Sequence, residues 1–324
     1  MLAASGLSDG LLELVVPPEW SGQRIDTTLA ALLRNHSARR VQRWVKSGNV
    51  RLNLRTAAPD SRVMAGDLIA VRLIDPPDMV APTAAGVVDW LLDDHWCGLV
   101  DKPAGLVVHP TGPHQDDTLL NRLQRVADER TGVRGLLRPG IVHRLDAETS
   151  GVIAIAWDGI AHRRLQQQFE RGEARKSYLA LVEGSVRDDG GRIARPIGHA
   201  PGRQRTLMSC QSDAEHPRTA VTDYRTLYRW PDGSLVRCQP LTGRNHQIRV
   251  HLASIGHPLV ADRFYGTAGT LRTERSLCSL GLLRHALHAE RLRLRHPVTG
   301  CVIDRVAPIP SDFAAAIRRL SDRP

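Results

Sequence analysis

The sequence predicts an α+β fold in two units of unequal size, and three observations lead to that prediction. Short apolar runs typical of strands mix irregularly with helical periodicity from about residue 87 onward. The proline-rich segment 75–82 removes backbone donors and interrupts any periodic pattern. At 324 residues the chain is long for one domain. We therefore expect a small unit at residues 1–78, a linker at 79–86 and a larger unit at 87–324.

The small unit begins with two predicted helices. The apolar residues of the first helix recur at helical spacing: Ile25, Leu29, Leu32 and Leu33. Ser37 is a candidate N-cap for the second helix, and Gly48 would end it. The apolar face of that second helix consists of Val41, Trp44 and Val45. Two strand-like runs follow, at residues 50–54 and 68–73.

The second helix carries a run of basic residues with no acid between residues 37 and 48. Its members are Arg39, Arg40, Arg43 and Lys46. We expect them on the side of the helix opposite to Trp44, where they would face a polyanionic partner. A solvated helix face is the plainer explanation of such a run. The net charge of the unit does not decide between the two, because residues 1–78 carry only +2 (10 basic minus 8 acidic).

The larger unit has several elements that the pattern predicts clearly. Apolar runs at Val152–Ala156 and Tyr178–Val182 predict buried strands. Apolar spacing predicts a helix over residues 159–171 and a C-terminal helix after Ser311. The chain has no internal repeat and no low-complexity tract.

The composition indicates a polyanionic partner and a reducing compartment. The formal net charge is +10, and clustered basic residues supply the sequence-independent part of nucleic-acid affinity. Only three of the 44 basic residues are lysine, which codon bias in a GC-rich genome also explains. Five scattered cysteines without a Cys-x-x-Cys pair argue against a disulfide framework and a zinc site. The cysteine pattern leads us to expect a cytoplasmic protein. Because no apolar run has membrane-spanning length, we expect no contact with a membrane. A monomer is the default expectation.

The most informative segment is residues 140–151, Gly-Ile-Val-His-Arg-Leu-Asp-Ala-Glu-Thr-Ser-Gly. It sets one carboxylate, Asp146, beside a guanidinium and before a turn, in which we place Ser150. No partner carboxylate and no metal-ligand spacing is near, so a single acid acting as nucleophile or base beside a cation is the functional interpretation. The plainer one is that Asp146 binds backbone amides in the turn, which is a common role for aspartate.

Two further segments favour the functional interpretation. They are Asp101-Lys102-Pro103-Ala104-Gly105 with Leu106–Pro110, and Leu241-Thr242-Gly243-Arg244-Asn245-His246-Gln247-Ile248-Arg249. Together with residues 140–151 and with Lys176–Gly184, Gly256–Asp262 and His285–Ala289, they resemble the RluA/RluD type of ribosomal RNA pseudouridine synthase. The resemblance covers nearly the whole chain, and the first unit resembles an S4 RNA-binding domain.

The resemblance implies a mixed, largely antiparallel sheet with a catalytic cleft across its middle. It implies isomerisation of uridine to pseudouridine without a cofactor or a metal. By the same resemblance Asp146 matches the catalytic aspartate, Arg249 its cationic partner and Tyr178 the tyrosine that packs against the target base. Arg144 would enter the space that a flipped nucleotide leaves, and we assign it and His143 to substrate binding. The plainer roles are a structural ion pair for Arg249 and a core tyrosine for Tyr178.

Large-subunit ribosomal RNA of the 23S type is the expected target, because members of this family that carry an S4 domain usually act there; transfer RNA is the alternative. Two other functions stay open on the residues alone. One is a metal-dependent hydrolase that uses His143, His246 and His251; the other is an RNA-binding protein without chemistry. Four positions depart from the family pattern: Leu54 and Ala261 stand where glycine is usual, Asn245 where threonine is common and His199 where arginine often stands.

Overall fold

The computed structural model of this protein describes residues 7–8, 11–33, 36–73, 80–132, 135–202, 207–267 and 280–322. The predicted domain boundary at residue 78 and the first linker residue, Met79, lie outside these ranges, as does Cys278. Residues 80–88 contain neither helix nor strand.

The N-terminal unit is a five-stranded antiparallel sheet with two helices, of which the sequence predicted the two helices and two strand-like runs. Its elements are β1 (Leu7–Ser8), β2 (Leu11–Val15), α1 (Ile25–Leu32), α2 (Ala38–Lys46), β3 (Val50–Leu52), β4 (Arg55–Thr56) and β5 (Leu68–Arg72), in the sheet order β1-β2-β5-β3-β4. The predicted cap forms, because the side chain of Ser37 accepts a hydrogen bond from the Arg40 amide. Gly48 follows the helix in the left-handed region, at φ 74°.

The prediction for Arg40 was wrong, because this side chain lies in the interior. Arg39, Arg43 and Lys46 are exposed, whereas Arg40 is only 3% exposed. Arg40 precedes Trp44 by four residues, so the helical repeat places both on the apolar face. The Arg40 guanidinium carbon lies 5.4 Å from the centre of the Trp44 ring. Three of the four basic residues therefore face solvent.

The turn between β3 and β4 explains the departure at Leu54. Leu52 pairs with Arg55, so Asn53 and Leu54 form a two-residue turn with φ values of 48° and 70°. Positive φ at both central residues is the conformation that Asn-Gly best adopts. Leu54 keeps the turn geometry at a steric cost, and its side chain is 79% exposed.

The larger unit is built on a ten-stranded sheet that is antiparallel except where β9 and β17 pair. Its strands are β6 (Asp89–Asp93), β7 (Cys97–Lys102), β8 (Gly140–Ile141), β9 (Ser150–Ala156), β10 (Arg175–Glu183), β11 (Gly190–Ile193), β15 (Thr222–Trp230), β16 (Gly233–Pro240), β17 (Leu287–Arg295) and β18 (Val302–Val306). The order is β11-β15-β16-β10-β17-β9-β7-β6, with β18 on β17 and β8 on β9. This mixed, largely antiparallel sheet is the predicted architecture.

Close approach of β9 and β17 requires glycine at position 151. A Cβ there would lie 2.2 Å from the carbonyl oxygen of Ala289, and the φ of Gly151 is 111°. The preceding Ser150, which the turn motif led us to place in a turn, is instead the first residue of β9. It is buried, with Oγ 3.0 Å from Nδ1 of His288.

Four helices and a small second sheet complete the unit. They are α3 (Leu119–Thr131), α4 (Gly159–Glu170), α5 (Gln247–Ser254), α6 (Ser311–Ser321), and the sheet of β12 (Ile197–His199), β13 (Met208–Ser209) and β14 (Glu215–Arg218). The predicted helices at 159–171 and after Ser311 correspond to α4 and α6. Every residue of β9 is buried in the main core, and α6 covers a separate apolar cluster with Phe313. None of the helices in the described residues is long and apolar enough to cross a membrane.

Candidate active site

Asp146 lies in the loop that connects β8 to β9. The backbone of the loop forms the turn, because the carbonyl of Asp146 accepts the Thr149 amide at 3.0 Å. The carboxylate has a different partner, since Oδ2 accepts a hydrogen bond from Nη1 of Arg249 at 3.0 Å. The turn is therefore formed by the backbone of Asp146, and its carboxylate is bound to Arg249 and lines the cleft.

The buried Lys102 fixes the same loop through hydrogen bonds to backbone carbonyls. Nζ of Lys102, at the end of β7, donates to the carbonyl oxygens of Pro103, Leu106 and Ala147 at 2.8, 2.9 and 2.9 Å. The side chain is fully buried, and burial lowers the pKa of Lys102 to about 7. Through Ala147, this ammonium fixes the residue next to Asp146.

Arg249 joins two carboxylates in the interior. Its Nε and Nη2 donate to Oδ2 and Oδ1 of Asp262 at 2.7 and 2.9 Å, and its Nη1 donates to Asp146. Arg249 is 4% exposed and Asp262 fully buried, while the Asp146 side chain keeps 22% of its surface exposed. The amides of Phe264 and Tyr265 also donate to Asp262. Asp262 thus orients the guanidinium, and the guanidinium presents Asp146 to the cleft.

The charges of this group keep Asp146 ionised. Burial alone would raise the pKa of Asp146, but His246, Arg249 and His285 together with the Arg249 hydrogen bond hold it below its ordinary value. Burial lowers the pKa of His246 to about 4, so this imidazole is neutral at pH 7. The permanent positive charge beside Asp146 is therefore that of Arg249, whose pKa the two aspartates raise further, against the effect of burial.

Tyr178 lies on β10 and is both a core residue and a cleft residue. Its side chain is 8% exposed and packs in the main core, and the residue also lines the cleft around Asp146. Burial and the negative charge of Asp146 raise the pKa of the Tyr178 hydroxyl. The hydroxyl is therefore protonated at neutral pH and can donate a hydrogen bond.

The cleft has a volume of about 520 Å³, enough for one nucleotide unit. It brings together the predicted residues of the larger unit and one that was not predicted: Asp146, Tyr178, Arg249, Arg144, His143 and Lys176. Arg144 is exposed at its margin, a position from which a long side chain can reach a neighbouring nucleotide. The predicted basic residues of α2 do not line this cleft.

His143 lines the cleft and is also anchored to the neighbouring strand. Its Nε2 accepts the Ala154 amide at 2.9 Å, and its ring stacks on Phe169 with the centroids 4.4 Å apart. Burial lowers the pKa of His143 to about 3, so the ring is neutral. These contacts fix the ring in the cleft wall, and its role in substrate binding stays a prediction.

His246 occupies a special backbone position directly before α5. Its φ of 53° is left-handed, and its Nδ1 lies 2.6 Å from Oη of Tyr265. Because Tyr265 Oη accepts the Met208 amide, its own proton is available to Nδ1. This arrangement places the remaining proton of the neutral imidazole on Nε2.

The three histidines of the hydrolase alternative do not form a metal group in the described residues. Nδ1 of His251 lies 2.9 Å from Thr222 Oγ1, and its Nε2 lies 2.9 Å from the Arg195 carbonyl. Nε2 of His143 and Nδ1 of His246 also have hydrogen-bond partners in the protein. The described residues hold one group at ligand distances, Asp94, Cys97 and His296. There Nδ1 of His296 accepts two backbone amides and Nε2 lies 2.9 Å from Asp94. These hydrogen bonds explain why the three side chains lie close together without a metal ion.

Comparison with known proteins identifies the family. Residues 98–254 match the model for RNA pseudouridylate synthase, and residues 23–69 match the S4 domain. The uncharacterized RNA pseudouridine synthase YlyB of Bacillus subtilis is 35% identical over 309 residues, which cover 95% of this chain and 98% of that protein. The chain belongs to the RNA pseudouridylate synthase family. It is therefore an isomerase that acts on RNA, with an N-terminal S4 domain.

Other relatives of this pseudouridine synthase agree. The ribosomal large subunit pseudouridine synthase D of Nitrosomonas europaea is 37% identical over 325 residues, covering 99% of this chain and 91% of that protein. The protein of the same name from Pseudomonas aeruginosa is 36% identical and covered to 92% on both sides. The solved human RNA pseudouridylate synthase domain containing 4 superposes with a TM-score of 0.58 at 26% identity, over 72% of this chain and 93% of that one.

Sequence reasoning missed three residues of the site: Asp262, Lys102 and Lys176. Each stands in a segment that supported the family resemblance. For the lysines a signal was present, since they are two of only three in the chain. Asp262 gave no such signal, because its pairing with Arg249 arises only when the loop after α5 folds back.

Proposed function

We propose that this enzyme isomerises specific uridines of large-subunit ribosomal RNA, with Asp146 as the group that acts on the target nucleotide. The observation that carries this proposal is the ionised, partly exposed carboxylate of Asp146, presented at the base of a nucleotide-sized cleft by the doubly bound Arg249. A carboxylate that is kept charged in a partly buried site can act as nucleophile or base. The relatives named ribosomal large subunit pseudouridine synthase D support the choice of RNA.

In this proposal the uracil detaches from ribose, rotates and rejoins through carbon while the protein excludes water. Asp146 acts on the sugar or the base, Tyr178 packs its ring against the base, and Arg144 enters the gap in the RNA. Arg249 is hydrogen-bonded to both Asp146 and Asp262, so its role is to hold Asp146 ionised and in place. Substrate and product are isomers, and no step needs an external group.

Mapping of pseudouridine in total RNA tests this proposal. RNA from cells that lack the gene is treated with the wild-type protein or with Asp146→Asn, and new sites are located by chemical mapping. We expect one or a few new sites in large-subunit ribosomal RNA with the wild-type protein alone. New sites confined to transfer RNA would refute the proposed target, and equal sites with both proteins would refute the role of Asp146.

The S4 domain is proposed to bind RNA through Arg39, Arg43 and Lys46. Substituting each by glutamine should weaken RNA binding and lower the slope of log affinity against log salt by about 0.7 to 0.9 per lost phosphate contact. Arg318→Gln, an exposed arginine on α6, is the matched control and should leave the slope unchanged. Binding isotherms between about 50 and 200 mM salt measure the slope of log affinity against log salt. An unchanged slope in all three variants would show that α2 does not contact phosphate.

A further inference from the structure

Lys176 is a cation on the cleft wall without a carboxylate partner. It lies on β10 two residues before Tyr178, so both side chains are on the same side of the strand. Nζ of Lys176 donates to the carbonyl of Thr242 at 3.3 Å and lies 4.0 Å from where a Cβ on Gly243 would be. Among the described residues, no carboxylate oxygen lies within 4 Å of it.

We propose that Lys176 binds a phosphate group of the nucleotide that enters the cleft. This inference rests on the proposed function, because it assumes that the target nucleotide occupies the space above Asp146. It adds a substrate-binding residue that recognises the backbone and not the base. The other cations of the cleft are placed differently: Arg249 is saturated by two aspartates, Nε of Arg244 donates to the Thr219 carbonyl, and Arg144 is exposed at the margin.

The surroundings of Lys176 contain little that could neutralise it. His143, from the loop before Asp146, is neutral, and Arg244 and His246 line the same cleft from the loop after β16. Asp146 also lines the cleft, but its carboxylate is bound to Arg249. Glu170 at the end of α4 is exposed and beyond ion-pair distance. On the adjacent β17, Glu290 is bound to Ser177 and Arg237.

Lys176 is half-buried, and the only partner of its Nζ among the described residues is a neutral carbonyl, so its charge is largely uncompensated on the cleft wall. A cation placed in this way is suited to bind an anion. Uracil and ribose are neutral, so the anion of a uridine nucleotide is its phosphate. A hydrogen bond between ammonium and phosphate is charge-assisted and strengthens in a partly dry site. The carbonyl of Thr242 would then serve to aim Nζ and would not be the main partner.

The proposal predicts a characteristic pH dependence. Burial lowers the pKa of Lys176 to about 8, so the ammonium is present below that pH and is lost above it. For the free enzyme, kcat/KM should fall as pH rises through about 8. Lys176→Arg keeps its charge at higher pH and should move the fall upward. Because the chain has only three lysines, NMR of the lysine ammonium groups can follow this titration without reference to activity.

A double-mutant cycle between protein and RNA tests the contact. The RNA is a synthetic stem-loop around the uridine found by mapping, with ordinary phosphates or with one neutral methylphosphonate on the 5′ or the 3′ side of that uridine. We expect Lys176→Met to raise KM about 10- to 100-fold on the ordinary RNA. On one of the two methylphosphonate RNAs, the KM of the wild type should rise by a similar factor. The KM of Lys176→Met should rise little above its value on the ordinary RNA.

Three outcomes would overturn the proposal: an unchanged KM in Lys176→Met, full additivity of the two losses for both methylphosphonates, or a pH profile that Lys176→Arg does not move. A role limited to anchoring Thr242 would give additivity, because it would affect all RNAs alike. Lys46→Met, on the exposed face of α2, is the control and should show no coupling to these phosphates. If mapping places the site in transfer RNA, the proposed target fails while this cycle still applies.

Discussion

Replacing Asp146 by asparagine should lower pseudouridine formation by at least about 10⁴-fold, the order of loss seen when a group that performs the chemistry is removed. An amide can neither attack as a nucleophile nor accept a proton at neutral pH. The fold should survive, because Arg249 keeps its two hydrogen bonds to Asp262. Single-turnover assays on the mapped RNA measure the rate, and filter binding on the same RNA measures the affinity.

Affinity should stay within a few-fold of the wild type in that variant, since removing a negative charge from the cleft does not oppose an RNA ligand. Asp304→Asn, in an arginine pair on the surface strand β18, is the matched control for the chemical change and should keep full activity. Retention of more than a few per cent of the wild-type rate by Asp146→Asn would show that another group performs the chemistry.

Replacing Arg249 by methionine should have the largest effect on stability. The change leaves Asp146 and the fully buried Asp262 without their cation. Removing one partner of a buried ion pair typically costs about 3–5 kcal/mol, because the remaining charge is buried and uncompensated. Urea unfolding should therefore show a loss of that order at pH 7. Activity should be lost as well, since Asp146 is then neither oriented nor kept ionised.

The same variant should reverse the pH dependence of stability. In the wild type the pKa of Asp262 is lowered, so its contribution is present above the unfolded value of about 4 and is lost as pH falls through the folded value. Without Arg249, burial raises both carboxyl pKa values, so stability falls as pH rises above about 4. The difference in unfolding free energy between wild type and variant should thus be smaller at pH 4.5 than at pH 7.

Arg291→Met provides a control of equal geometry. Arg291 binds Asp304 through the same two-bond arrangement, at 2.7 Å for each bond, but on the surface. Solvent screens such a pair, so we expect a stability close to that of the wild type. If Arg249→Met is no less stable than Arg291→Met, burial is not what makes the Asp146–Arg249–Asp262 group important.

Local patterns in the sequence determined much of this protein. Apolar spacing predicted α1, α2, α4 and α6, since helical periodicity depends only on neighbours along the chain. The Ser37 cap depends on a single side chain and its neighbours and was readable for the same reason, whereas the turn at Asn53 and Leu54 lies inside a run that was predicted as a strand. The family motifs brought Asp146, Arg249 and Tyr178 forward as candidates, and the fold places all three on one cleft.

Only the tertiary structure decided which polar groups are buried and which groups they contact. Arg40 belongs to a basic run but is buried over Trp44, and His143 belongs to the central motif but bonds to β9. Asp262 pairs with Arg249, and Lys176 on β10 donates to the carbonyl of Thr242 in the loop after β16. Burial and pairing depend on residues far apart in the chain, so they emerge only when the sheet, α5 and their loops pack together.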